Sequence, residues 1–187
     1  MSDKWAVIQQ LHTYTSTQLH IYTPTQSNMS PKSILFVCLG NICRSPMAEG
    51  VFNKMIFEKG IYKNFIVDSA GLIAYHQGEL ADSRMRTHAA RRGYNLTHRS
   101  RQVKVADFEK FDLIIGMDDQ NISGLKNLAR TPEQTAKICR MTDFCVNLQA
   151  AEVPDPYYGG DKGFEYVIDL LEDACEGLLK TISPPLP

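Results

Sequence analysis

At 187 residues the chain is long enough for one compact domain with a substantial core and cramped for two. A hydrophobic content of 43%, a charged content of 22% and a net charge of -1 are ordinary for a globular protein and give no sign of a nucleic-acid binder. No apolar run approaches the roughly 20 residues that a membrane span needs, and five scattered cysteines without secreted-scaffold or zinc spacing suit a reducing cytoplasm.

Residues 1–32 differ from the rest: Thr, Gln and Ser dominate, Pro24 and Pro31 punctuate, and Trp5, Val7, Ile8, Leu11 and Ile21 are scattered. No basic start leads into an apolar core, so this is not a secretory signal. The stretch reads as a flexible extension, the alternative being a short amphipathic helix over residues 3–11 that docks on the domain or a partner. The domain proper is expected over residues 33–187.

That domain is organised around residues 34–46, ILFVCLGNICRSP. The apolar run Ile34–Val37 has the length and composition of a buried strand and ends in Cys38. Gly40 and Asn41 tolerate positive φ, Ser45 is a candidate helix cap, and Pro46 suits a first helical position. Strand, tight loop and helix start together describe a phosphate cradle. Backbone N–H groups and the helix dipole face an anion, Arg44 supplies a planar fork, and the same positive field favours a thiolate at Cys38. A thiolate beneath a cradled phosphoryl group is placed for in-line attack. A bare Cys-x5-Arg spacing also fits a strand-end cysteine beside a surface arginine; the flanking strand, Gly-Asn and Ser-Pro favour the phosphate loop.

Beyond the loop, Met47, Val51, Phe52, Met55 and Ile56 recur at helical spacing up to Gly60. Residues 65–71 read as a second strand, 81–92 as a helix closed by Gly93, 112–117 as a third strand followed by a helix to about Leu128, and 136–139 as a fourth strand. Residues 163–180 form a long amphipathic helix carrying Phe164, Val167, Ile168, Leu171, Ala174, Cys175 and Leu178. The alternation predicts an α/β fold, a three-layer sandwich with a central four-stranded parallel sheet flanked by helices on both faces. Cys38 then falls at the carboxyl edge, where such sheets bind ligands.

A cysteine phosphatase needs an acid for the leaving oxygen, and Asp155 in Val153-Pro154-Asp155-Pro156-Tyr157-Tyr158-Gly159 is the candidate; read without context, the segment is a stiff surface turn.

Val37-Cys38-Leu39-Gly40-Asn41-Ile42-Cys43-Arg44-Ser45-Pro46 resembles the signature loop of the low-molecular-weight protein tyrosine phosphatases, and the likeness extends over residues 33–180. The resemblance implies a protein-tyrosine-phosphatase working through a cysteinyl-phosphate intermediate, with Cys38, Arg44 and Asp155 catalytic and Leu39, Gly40, Asn41, Ile42, Cys43, Arg44 and Ser45 binding phosphate. Asp155-Pro156-Tyr157-Tyr158-Gly159 resembles the general-acid loop, and a protonated Asp155 beside a thiolate implies a mildly acidic optimum. Asn41, Ser45, Ser69, His98 and Asp118 match the supporting polar network, with Ser45 on the Cys38 sulfur and Asp118 near the phosphate loop. His98, taken alone, reads as a satisfied structural histidine.

Leu39, Ile42, Tyr75, Tyr157 and Tyr158 are expected around a slot deep enough for phosphotyrosine, although Tyr75 also fits an ordinary loop residue. Cys43 reads either as a small buried hydrophobe or, as the resemblance implies, a redox partner that rescues oxidised Cys38. The related protein arginine phosphatases carry threonine where this chain has Ile42, and the arsenate reductases of this fold need a cysteine relay that Cys139 and Cys145 do not obviously supply. No metal or other cofactor is implied. The expected partners are phosphotyrosine proteins, with inorganic phosphate as product, and the chain is expected to be a monomer or weak dimer without nucleic-acid or membrane association.

Overall fold

The computed structural model describes residues 31–183, so the expected extension over residues 1–32 lies almost wholly outside the described residues. Four strands, β1 (Lys32–Cys38), β2 (Phe65–Gly71), β3 (Leu113–Gly116) and β4 (Ile138–Arg140), form one sheet in the order β2-β1-β3-β4. Every pairing is parallel. Between and after them run α1 (Arg44–Glu58), α2 (Ser83–Arg91), the short α3 (Asp107–Lys110), α4 (Asp119–Leu128), the short α5 (Pro132–Ala136) and α6 (Gly160–Ile182).

β1 lies between two neighbours, and from Ile34 to Cys38 its residues are buried. Its pleat divides them between two cores. Ile34 and Phe36 join Met47, Val51 and Phe52 of α1 and Phe164, Ile168 and Leu171 of α6. Leu35 and Val37 point the other way, to Phe108 of α3 and Leu125 of α4. That division is the expected three-layer α/β sandwich. Full burial of a side chain such as Phe36 on one face or Leu35 on the other contributes roughly 1.5–3 kcal/mol, so the strand carrying Cys38 is anchored from both faces.

Several boundaries differ from expectation for local reasons. α1 starts at Arg44, with Cys43 at its cap position and no side-chain cap bond, so Ser45 and Pro46 lie inside the first turn. The second expected helix begins at Ser83, because the Asp82 carboxylate accepts the Arg84 N–H at 2.8 Å and caps it there. Thr131 caps α5 through Gln134 N–H, and this helix occupies residues to Ala136, moving the fourth strand to Ile138–Arg140. α6 is longer than its apolar periodicity suggested, running from Gly160 to Ile182. Among the described residues, no helix is long and apolar enough to cross a membrane.

The sheet register puts Cys38 opposite Gly71, Val37 opposite Gly116, and Gly116 opposite Arg140. The carboxyl ends of all four strands therefore share one edge, and the chain reverses there between neighbours on either side of β1. In open α/β sheets that is where ligands bind.

Candidate active site

The loop from Leu39 to Cys43 is held from outside by its carbonyl groups. Leu72 N–H donates to Cys38 O at 2.9 Å, Ile73 N–H to Leu39 O at 3.0 Å, and Asp82 N–H to Ile42 O at 2.8 Å. The Ser100 hydroxyl donates to Gly40 O at 3.0 Å. In a planar trans peptide the next N–H points opposite to the carbonyl. The N–H groups of Leu39, Gly40, Asn41 and Cys43 thus turn away from these partners, toward the concave side of the loop. This orientation, followed by the start of α1, makes an anion cradle.

Two residues permit the tight curl. Asn41 has φ 55, the left-handed region, which asparagine tolerates better than other side chains. Gly71 abuts the loop so closely that a Cβ would lie 2.9 Å from Leu39 O and 3.0 Å from Asn41 N, both backbone atoms.

Asn41 is buried and uses its full hydrogen-bonding capacity. Its Nδ2 donates to Ser45 Oγ at 3.0 Å and to Ser69 Oγ at 2.9 Å. Its Oδ1 accepts from Arg101 N–H at 3.0 Å and faces His98 Nε2 at 3.1 Å. With Nδ2 committed as donor, His98 must carry its proton on Nε2 to satisfy this contact. Ser45 Oγ lies 3.0 Å from Cys38 Sγ, and its one hydroxyl proton is shared between that sulfur and Ala70 O at 3.3 Å. The Ser69 hydroxyl in turn donates a hydrogen bond to Glu49 Oε2 at 2.6 Å.

Glu49 was not singled out in the sequence. It sits four residues after Ser45 on the same helix, hence on the same face, a spacing that marks the two as neighbours. Burial raises its carboxyl to about 7. Burial also lowers His98, whose Nδ1 lies 3.3 Å from Glu49 and 3.5 Å from Asp68. Glu49, Asp68 and His98 bring one ligand atom each within 4.8 Å of one another and form the candidate metal grouping among the described residues. Ser69 and Arg101 already engage its two carboxylates, Arg101 Nη2 standing 2.7 Å from Asp68. A groove of about 430 Å³ is lined by Glu49 and His98 but by none of Cys38, Arg44 or Asp155, so it is separate from the phosphate cradle.

Arg44 is buried and joins three segments. Its Nη1 donates to Asp118 Oδ2 at 2.5 Å and to Val153 O at 3.1 Å, while Nη2 donates to Asp155 Oδ2 at 2.9 Å. Asp118 is held in turn as the cap of α4, its other oxygen accepting from Asn121 N–H at 2.7 Å. Asp155 is half-exposed and caps the turn Pro156–Tyr158, accepting from Tyr157 N–H at 3.0 Å. One guanidinium therefore links the loop after β1, the end of β3 and the segment before α6.

The remaining predicted residues lie around this centre in different ways. Leu39 and Tyr157 are each about 40% exposed, Ile42 packs against the larger core, and Tyr75 is 82% exposed with its ring edge-on to His76. The Tyr158 side chain lies outside the described set. Cys43 is buried, and burial, with Asp82 and Cys38 adding to it, pushes its thiol well above the ordinary range. Among the described residues no cysteine forms a disulfide.

Comparison with known proteins agrees with this arrangement. The sequence profile of the family described as low molecular weight phosphotyrosine protein phosphatase matches residues 33–185. A Synechocystis protein classed with the low molecular weight protein-tyrosine-phosphatases is 46% identical over 155 residues, covering 82% of this chain and 98% of its own. The human low molecular weight phosphotyrosine protein phosphatase is 39% identical over 158 residues, covering 82% and 98%. The crystal structure of a protein tyrosine phosphatase from Entamoeba histolytica superposes with a TM-score of 0.77 at 50% identity, covering 80% of this chain and 95% of that one. The chain belongs to the low molecular weight phosphotyrosine protein phosphatase family.

Proposed function

We propose that this protein hydrolyses phosphotyrosine in proteins through a phosphorylated Cys38. The observation that carries the reading is the pairing of Arg44 with Asp155 at 2.9 Å, which brings a carboxylate from the far end of the sequence to the loop that begins at Cys38.

Arg44 has five N–H donors, of which Asp118, Val153 and Asp155 take three. Its Nε–H and second Nη2–H remain as a fork for two phosphoryl oxygens, and the inward N–H groups of the loop receive the third. The Cys38 thiolate attacks phosphorus in line; the S–P bond forms as the bond to the tyrosyl oxygen breaks, and Asp155 gives that oxygen its proton. Ser45 turns its single proton onto the Cys38 sulfur, 3.0 Å away, which steadies the thiolate before attack and again when it leaves. Asp155, now a carboxylate, takes a proton from water as the water attacks phosphorus, and inorganic phosphate and the free thiolate result. The step needs no metal from the residues named.

The half-exposed Leu39 and Tyr157, with Ile42 and Tyr75, form the proposed walls of a slot for the phosphotyrosine ring. Asn41, Ser69, His98 and Asp118 brace the loop and Arg44. Cysteines outside any disulfide accord with a cytoplasmic setting, and we assign a monomer or weak dimer, with residues 33–187 as the catalytic domain. Cys43 serves as redox partner: once oxidant has converted Cys38 to sulfenic acid, Cys43 displaces water to form a disulfide that a thiol reductant reopens. Activity lost to peroxide should therefore return with dithiothreitol, and return poorly in Cys43→Ser; equal recovery in both removes the role.

Hydrolysis of p-nitrophenyl phosphate between about pH 4 and 8, for the wild type beside Cys38→Ser and without added metal, tests the function. A bell-shaped profile with its maximum on the acid side, abolished by serine, is expected. Absence of turnover by folded, reduced wild type would overturn the proposal.

A further inference from the structure

We propose that Arg84 is a positioning residue for the general acid, a strap from α2 that fixes the Asp155 loop over the phosphate loop. The inference rests on the mechanism above and concerns residues outside its catalytic set.

The guanidinium of Arg84 is held through each of its three nitrogens although 44% of the side chain is exposed. Nε donates to Asp82 Oδ1 at 3.1 Å and Nη2 to Asp82 Oδ2 at 2.8 Å, a planar fork on one carboxylate. Nη1 donates to Tyr157 O at 3.0 Å. The Cζ of the group lies over the Tyr157 ring, 4.8 Å from its centroid, and over the Phe164 ring of α6 at 5.1 Å. A fork plus two ring faces sets both the place and the plane of the guanidinium.

The two ends of this strap give it meaning. At one end the backbone N–H of Asp82 donates to Ile42 O at 2.8 Å, inside the phosphate loop. At the other, Tyr157 contributes both of its backbone polar groups: its N–H donates to Asp155 Oδ1 at 3.0 Å while its carbonyl accepts from Arg84. The residue that orients the Asp155 carboxylate is thus the residue Arg84 grips. Through Asp82 and Arg84, the loop that holds phosphate and the turn that aims the acid are tied by three hydrogen-bonded links. Arg44 also touches Asp155, through the same Nη2 whose second proton is offered to phosphate; the Arg84 contacts involve none of the phosphate donors.

Acid catalysis matters when the leaving group is poor and little when it departs readily as an anion. Arg84→Ala is therefore compared with wild type on phenyl phosphate, which needs the proton, and on 2,4-dinitrophenyl phosphate, which does not. The expected result is a loss of roughly 10-fold to 100-fold in kcat/KM, which reports formation of the S–P bond and not the later hydrolysis, on phenyl phosphate with little change on the dinitrophenyl ester. The loss should vanish when Arg84→Ala is introduced into Asp155→Ala. Arg84→Lys, which keeps the charge without the fork, should behave like the alanine variant and serves if alanine fails to fold. Equal losses on both esters, no loss on either, a loss that survives in Asp155→Ala, or full rescue by lysine would each overturn the strap. Failure of wild type to turn over either ester would instead overturn the proposed function.

Discussion

Asn41→Ala removes the residue on which the phosphate loop depends twice, once through its side chain and once through its backbone. The side chain makes four hydrogen bonds in a site where it is 1% exposed. At about 0.5–1.5 kcal/mol each, their loss costs about 2–6 kcal/mol, and the buried partners left behind push the value toward the middle of that range or above. The backbone at φ 55 adds about 1–2 kcal/mol for a side chain that cannot bond locally there. Asn41→Gly shares the first loss and escapes the second. Urea unfolding should therefore place both variants well below wild type, with alanine about 1 kcal/mol below glycine. Activity on p-nitrophenyl phosphate should fall in both, since Ser45 loses the donor that orients its hydroxyl toward Cys38. The reasoning fails if alanine costs under 1 kcal/mol, or if glycine is the less stable of the two.

Asp155→Ala should lower aryl phosphate turnover by roughly 10²–10⁴ while leaving the fold intact by circular dichroism; an unchanged rate refutes the acid assignment. Glu49 is held at about 7 against 4.5 when unfolded, so the native state keeps its proton longer. Its contribution to stability is full below about pH 4.5 and is lost as pH rises to about 7. Glu49→Gln should flatten that stretch of the curve in urea titrations, and an equal difference from wild type at both ends would contradict it. Gly177→Ala in α6 would set a methyl group against the backbone carbonyl of Phe144, which cannot rotate aside. A loss of about 1–3 kcal/mol or more in thermal unfolding is expected, and a neutral result would mean that the turn before it yields freely.

The residues most legible in the sequence were those whose chemistry and neighbours coincide. Ile34–Val37 and Gly40-Asn41 announce strand and tight loop within one short run that also carries Cys38 and Arg44, the proposed nucleophile and anion fork, and the fold followed from strands alternating with helices. Ser45 was harder to read, because a serine before proline at a helix start signals a cap. Here the helix begins two residues earlier, at Arg44 and not Pro46, and the hydroxyl is taken by Cys38 and Asn41. The Arg84–Asp82 fork was illegible for a different reason: arginine and aspartate two apart suggest only a solvated turn, and nothing local points to Tyr157. Glu49 looked like one more helix carboxylate until β2 packed Ser69 against it.

The contacts that complete the phosphate loop span 28 residues to Ser69, 57 to His98, 74 to Asp118 and 111 to Asp155. None can close until the chain around it has docked, and distant closures are the slow ones. A nascent chain that ends before β3 would already carry the thiol and its arginine yet lack both carboxylates that hold the guanidinium. Enzymatic competence should accordingly be the last property regained on refolding, trailing the helical signal, which makes turnover a sensitive gauge of whether the whole domain has closed.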